Sequence, residues 1–346
     1  MTVKINGTSG VVGGLAIDDL SVQTLNAGQL AAFRNKIING DMRINKRNIS
    51  TITTQGYVTD RWIFSEAPTG TSTITMQQGS NGPNGQLPNT AKLTVTSAGS
   101  RDYSQLIQNI EGFNIRSLFR QTFTVSFWIR ASIAGVYCAA LNSGGNALFY
   151  VTECTVSSPN VWQRVSFTVN DGLPDDINFS QYGTLGMCFR IVFTNVEPTL
   201  ITTTANEWVS SVKISTSNQV NMHAVNGSTC EITGVQIEVG SNATPFEHRP
   251  ITIEESLCHR YYQETGEISF SGYAIAGWSN GYMVQFSEEM RVPPTISVVK
   301  SGTAGGVFAN ENTDSVTTRG FRYFVGNSGS GGLDVHGSRY GMDAEF

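Results

Sequence analysis

Charge is what this sequence has least of. Only 14% of its 346 residues are Asp, Glu, Lys or Arg, against roughly 25% in an average soluble protein. Lysine is scarce, the formal net charge is only -5 and no basic run exists. A nucleic-acid partner is therefore not expected, because phosphate contacts need clustered Lys and Arg. Long apolar runs are missing too. None approaches the roughly 20 residues that cross a bilayer as a helix, so no membrane insertion is expected. Residues 1–14 hold one Lys and no apolar stretch, and no secretory signal is read there. The five cysteines, Cys138, Cys154, Cys188, Cys230 and Cys258, are odd in number and widely spaced, with no CxxC pair. That excludes a disulfide framework or zinc site and reads as free thiols made in a reducing cytoplasm. Cys138 and Cys188 lie in apolar runs and are expected inside.

What the chain does have is glycine (36 residues), with abundant Thr, Ser and Asn and 10% aromatics. Gly and Asn suit turns, while Thr, Val, Ile and aromatics suit a pleated surface. The clearest strand is 121–130, where Phe123, Val125, Phe127 and Ile129 alternate with Thr124, Ser126, Trp128 and Arg130. This is a period of two over a full strand. The segment 161–169 repeats the pattern, and so does 231–239, with Val235, Ile237 and Val239 expected inward. Further strands are predicted at 57–65, 72–76, 91–97, 103–110, 147–152, 185–193 and 208–214. Turn clusters such as Asn81-Gly82-Pro83 and Ser143-Gly144-Gly145 separate them. Some ten short strands in 37–250 predict a two-sheet sandwich of jelly-roll type.

Residues 251–346 hold 11 acidic and 6 basic side chains and so carry the whole net charge. A domain boundary is placed at Pro250. Thr252 and Glu255 form a capping-box pattern, with Ile253, Leu257 and Tyr261 following at spacing four, so 251–266 reads as a connector helix stopped by Gly266. Strands then predict a small β-sandwich over 267–346. Residues 1–36 are too short and irregular for a domain and read as an arm that docks on another chain. The fold class is all-β: a jelly roll, a short connector helix and a small β tip.

No catalytic or metal-ligating residue is nominated. The pairs Asp175-Asp176, Glu254-Glu255 and Glu288-Glu289 are sequence neighbours, which on a strand point to opposite faces and cannot flank one bond. The four histidines, His223, His248, His259 and His336, lack metal or triad spacing. No cofactor is expected. A structural calcium is compatible with a jelly roll's loop Asp and carbonyl oxygens, without ligands that can be named. Aromatics are more informative. Trp62 reads as core, whereas Trp128 and Trp162 oppose the apolar face of their strands and Trp208 is undecided. In the last quarter, Trp278 sits in a Gly-Trp-Ser-Asn-Gly turn where its own hairpin offers it little cover. The candidate ligand-binding set is Tyr273, Trp278, Asn280, Tyr282, Tyr323, His336 and Arg339.

Four segments carry a resemblance. Ile38-Asn39-Gly40-Asp41-Met42-Arg43-Ile44-Asn45 followed by Asp60-Arg61-Trp62, the stretch 234–250 (GVQIEVGSNATPFEHRP), 254–263 (EESLCHRYYQ) and 286–294 (FSEEMRVPP) occur in order. Together they resemble bacteriophage virion appendage proteins of the tail-fibre type, with a jelly roll like those of carbohydrate-binding domains. Residues 1–7 look like the docking leader of such proteins. The resemblance implies a short homotrimeric fibre on the virion, attached to other virion proteins by its N-terminal arm. Its tip would meet a host surface glycan or receptor. A head or neck decoration fibre is the alternative it also allows. Leu257, Tyr261 and Tyr262 would then be trimer contacts, where three connector helices meet. Asp60 with Arg43, and Glu238 with Arg249, are the expected ion pairs.

Overall fold

A computed structural model of the chain describes residues 33–144, 148–170, 172–173 and 184–346. The proposed docking arm lies outside the described residues as far as residue 32. From there the chain lies against the sandwich: the Arg34 guanidinium donates to the Pro245 carbonyl (2.6 Å) and the Lys36 amide to that of Ile237 (2.9 Å).

Among the described residues, twelve strands form two facing antiparallel sheets. In chain order they are β1 (Gly56–Thr59), β2 (Trp62–Glu66), β3 (Thr73–Gly79), β4 (Thr90–Ser97), β5 (Tyr103–Glu111), β6 (Phe123–Ala131), β7 (Gly135–Ser143), β8 (Phe149–Val156), β9 (Gln163–Val169), β10 (Leu185–Asn195), β11 (Trp208–Val209) and β12 (Thr229–Val239). One sheet runs β1-β2-β5-β10-β7-β8-β11 and the other β3-β4-β12-β6-β9. The chain passes back and forth between the two layers, as a jelly roll does. Phe123, Val125, Phe127 and Ile129 all face the core, as their alternation requires. Trp62 is buried edge-on against Phe189, with ring centroids 6.4 Å apart. All five cysteines are buried free thiols, and burial pushes that of Cys154 up to about 12. Val239, expected inward, is exposed. Val239 is the last residue of β12, beyond the buried Val235 and Ile237.

Helix α1 (Ile251–His259) leads into a second all-β unit of eight strands, β13 (Tyr262–Glu264), β14 (Ile268–Ala274), β15 (Asn280–Gln285), β16 (Thr295–Lys300), β17 (Thr303–Gly306), β18 (Phe308–Thr317), β19 (Gly320–Asn327) and β20 (Gly331–Asp343). The long β20 is flanked by β13 and β14 on one side and by β16 and β17 on the other. The second sheet runs β15-β19-β18. Phe321, Tyr323, Val325, Leu333, Val335, Tyr340 and Met342 form the core between them.

Four local expectations are corrected. The stretch 57–65 is a tight hairpin rather than one strand, because Arg61 takes a positive φ of 73° between β1 and β2. Only Trp208 and Val209 of 208–214 pair as a strand. The capping box does not form. Pro250 is the N-cap, and Thr252 lies inside the helix with no capping bond. The helix also ends at His259, well before Gly266, because Tyr262 to Glu264 pair with β20.

The Asn39 motif is a buried polar knot rather than a strand start. Asn39 has φ 55°; its Nδ2 donates to the carbonyls of Ile44 and Asp60, both at 2.9 Å. Its Oδ1 accepts from the Ile44 amide (3.0 Å), and its own carbonyl accepts from Trp62 Nε1 (2.8 Å). Gly40 is required here, since a Cβ would sit 2.2 Å from the Val235 carbonyl. The expected ion pairs are replaced. Arg43 turns to Asp41 (3.2 Å), Asp60 faces Arg47 (3.7 Å), Glu238 meets Arg34 (3.4 Å) and Arg249 meets Glu254 (3.1 Å).

These charges gather where the sandwich meets α1 and the tip. Arg61 is 1% exposed, with its guanidinium 3.4 Å from the Tyr261 ring centroid. It pairs with Glu345 and donates to the Asn109 carbonyl. Arg47 lies 3.9 Å from both the Tyr57 and Tyr262 rings and 2.7 Å from Asp343. Arg260 grips Glu111 with two bonds, at 2.8 and 3.0 Å. Asp60, in the middle, is pushed up to about 6 by burial, against the Lys46 amide and Arg47, which act downward. Removing one partner of a buried ion pair costs about 3–5 kcal/mol. Arg61→Ala should therefore destabilise the chain by about that much in urea. In calorimetry it should split the melting of tip and sandwich, which Arg61→Lys should do less.

Candidate functional site

The register of β20 orders the tip along its length. Asp343 pairs with Tyr262 beside α1, whereas Gly331 pairs with Ala274 at the other end. At about 3.3 Å per residue that end lies about 40 Å further along the strand. Leu333 and Val335 point into the core. Alternation then places Gly332, Asp334 and His336 on the outer face, opposite Tyr273, Ser271 and Ser269 of β14. On the other flank, Thr303 and Gly305 pair with His336 and Asp334.

This outer face is a ring platform among polar groups. Tyr273 is 73% exposed and stands across from Gly332. A Cβ added to Gly332 or Gly305 would meet nothing within 4 Å, so the sheet is open on both sides of Asp334. Ser271 donates to one Asp334 oxygen, and His336 Nε2 lies 2.7 Å from the other. These bonds hold the Asp334 carboxyl below its ordinary value, Ser271 acting more strongly than His336. The aspartate is thus an ionised acceptor at neutral pH. The order Ser–Asp–His also differs from a hydrolytic triad, in which the histidine must sit between the other two to take the serine proton. At the far rim, Trp278 is 71% exposed in a turn closed by its amide to the Ile275 carbonyl (3.0 Å). Asn327 Nδ2 donates to the Trp278 carbonyl, and Ser330 Oγ accepts from the Ala276 amide at 2.9 Å.

The other nominated residues lie elsewhere. Tyr282 lines a separate groove of about 310 Å3 at the tip's open edge, with Gln263, Glu264, Glu267 and Gln285. Arg339 reaches Glu264 at 3.8 Å, beside this groove. Asn280 opens β15 near the Trp278 turn. Tyr323 is corrected: it is fully buried in the tip core beneath Tyr282, with ring centroids 5.7 Å apart, and cannot touch a ligand. Tyr261 and Tyr262 are corrected as trimer contacts, because Arg61 and Arg47 cover them within the chain. Leu257 remains partly uncovered on α1, near the exposed Ile251 and Ile253. Trp162 is occupied as well, its Nε1 donating to the Asn81 carbonyl (3.0 Å) and Arg130 lying 5.0 Å from its ring. Asp334, Ser271 and the bare glycines were missed, since only the cross-strand register unites them.

Among the described residues no group of three His, Cys, Asp or Glu stands ready to hold a metal ion, and no helix is long and apolar enough to cross a membrane. His223 is the histidine most enclosed by partners. Both its nitrogens are engaged, by Ser72 Oγ at 2.7 Å and Ser104 Oγ at 2.8 Å.

No protein-family profile and no curated protein matches the chain. Several solved structures are similar in part. A domain of tailspike protein 4 of bacteriophage CBA120, described as its enzymatically active domain, is 15% identical with a TM-score of 0.36. That match covers 60% of this chain and 22% of the tailspike chain. TmCBM61, solved with β-1,4-galactotriose, is 11% identical over 60% of this chain and 99% of its own, with a TM-score of 0.30. The family 11 carbohydrate-binding module of a Clostridium thermocellum cellulosomal cellulase is 13% identical, covering 57% and 99%, with a TM-score of 0.28. Likeness of this extent speaks to neither ligand nor activity.

The serine-bound His223 gives a pH test of the sandwich. Burial, then Arg101, pulls its pKa from 6.5 down to about 4. The native state therefore binds fewer protons than the unfolded chain between these values, and stability falls as pH drops through that window. The full difference is about 3 kcal/mol. Urea titrations at neutral pH and below pH 4 should show His223→Asn losing about 3 kcal/mol less than the native chain.

Proposed function

We propose that this chain is a structural virion protein, a short trimeric tail fibre whose tip attaches to a glycan or receptor on the host cell surface. The observation that carries the reading is the tip's outer sheet face, with Tyr273 open to solvent beside Asp334 and His336 and with Trp278 at the rim. A sugar ring has one face of C–H bonds that packs on an aromatic ring, and a rim of hydroxyls that a carboxylate, imidazole or serine can bond. Large exposed rings are otherwise uncommon on a surface that must remain dispersed. Low overall charge suits a particle surface that must avoid indiscriminate adhesion.

Trimerisation supplies what one shallow face lacks. Linked weak sites raise avidity by about 10²- to 10⁴-fold without new contacts. Self-association is supported by the β16–β17 edge, where Val298 and Val299 are exposed and the outer side carries no partner strand among the described residues. An unpaired apolar edge is a template for pairing with another chain. Ile253 and Leu257, spaced four apart on α1, offer a second contact.

The test combines light scattering of the purified chain with binding of its fluorescent fusion to a panel of bacterial strains. A mass three times that of the chain and decoration of at least one strain are expected. Tyr273→Ala combined with Trp278→Ala should cut decoration at least tenfold, which corresponds to about 1.4 kcal/mol, with the melting temperature unchanged. A monomer, or decoration that ignores both rings, would contradict the reading.

A further inference from the structure

The two sheets of the sandwich part at one edge, where β8 and β11 of one face β9 of the other. Trp208 pairs directly across from Tyr150 in the β8–β11 ladder. Their ring centroids are 5.5 Å apart, and Phe167 of β9 lies nearly parallel to Tyr150 at 6.4 Å. These three rings floor a cleft of about 590 Å3 that Thr168, Asn170, Asn206 and Glu207 complete. Its volume falls within the roughly 300–1,000 Å3 of small-molecule sites.

The polar rim is held but unspent. The Asn206 amide donates to the Val151 carbonyl (2.7 Å), and its Oδ1 accepts from Thr152 Oγ1 (2.7 Å). This fixes the side chain while its Nδ2 keeps no partner among the described residues. Trp208 is anchored by its Nε1 bond to the Gly172 carbonyl (3.2 Å). Glu207 makes no ion pair or hydrogen bond among the described residues, and neither does the Asn170 side chain. A carboxylate and two amides thus surround the aromatic floor, and among the described residues no Lys or Arg lines the cleft.

We propose that this cleft binds one or two pyranose rings of a neutral glycan, at a site separate from the tip. The rings take the C–H face of the sugar. Glu207 accepts from hydroxyls, and the two amides both donate and accept. The Glu207 carboxylate turns away acidic sugars, since among the described residues of the cleft their charge meets no cation. The proposal extends the glycan reading above but stands on different residues, so either can fail alone.

Ligand-observed NMR titration of the full chain with cellotriose, maltotriose and lactose tests it. At least one should bind at millimolar concentration, and glucuronic acid should bind more weakly than glucose. Trp208→Ala should weaken binding at least tenfold. Glu207→Ala, an exposed change that leaves the floor intact, should weaken it severalfold even if the tryptophan variant does not fold. The Tyr273→Ala, Trp278→Ala double variant should bind these sugars as the native chain does. No binding of any of the three, binding that survives both cleft substitutions, or binding lost only with the tip rings would overturn the proposal.

Discussion

Arg61 stacked on Tyr261 and paired with Glu345 joins three segments that are far apart in sequence, and the placement of the tip depends on that contact. The chain has few charges, yet Arg47, Arg61, Arg249 and Arg260 all bond around α1, and Arg291 adds bonds to the Ala344 and Glu345 carbonyls at 2.7 Å. Burying guanidinium groups costs desolvation that an ion pair alone rarely returns in full. The aromatic faces of Tyr57, Tyr261 and Tyr262 add attraction that strengthens when water is excluded. A contact of this kind is directional where an apolar patch is not. It fixes how tip and sandwich meet.

The sandwich was legible wherever period-two alternation was unbroken, as from Phe123 to Ile129. It was less so where one residue changed the phase. Arg61 at positive φ turned an expected strand into a hairpin, and Val239 is exposed where β12 ends. Ion pairs were misassigned because their partners depend on topology: Arg249 finds Glu254 on the helix, and Arg61 finds Glu345 some 284 positions along. Helix length failed for a similar reason, since Tyr262 was claimed by a ladder to β20. Of the tip residues, the exposure of Trp278 was legible from the chemistry of its turn. Tyr323 was not, because its burial depends on which face of β19 meets the second sheet. Trp208 was undecidable in sequence, its neighbours Tyr150 and Phe167 being supplied by distant strands.

Sandwich and tip share one chemical vocabulary. Aromatic rings are left open beside amides, hydroxyls and an occasional carboxylate, on a surface otherwise poor in charge. Under the proposed reading, such surfaces would bind hydroxyl-rich ligands weakly per site and gain strength by repetition. The rigid arginine joint and the long β20 would hold an outer face at a fixed distance from the sandwich, so that several copies could engage one cell surface together.

The proposed attachment through the tip is tested most directly by hydrogen–deuterium exchange of the full chain, alone and with surface glycan extracted from a strain to which the fluorescent fusion binds. Protection on adding glycan should appear in 269–282 and 332–336, while the joint around residues 61 and 261 exchanges as before. Unchanged exchange in both tip segments with the glycan bound would contradict the account.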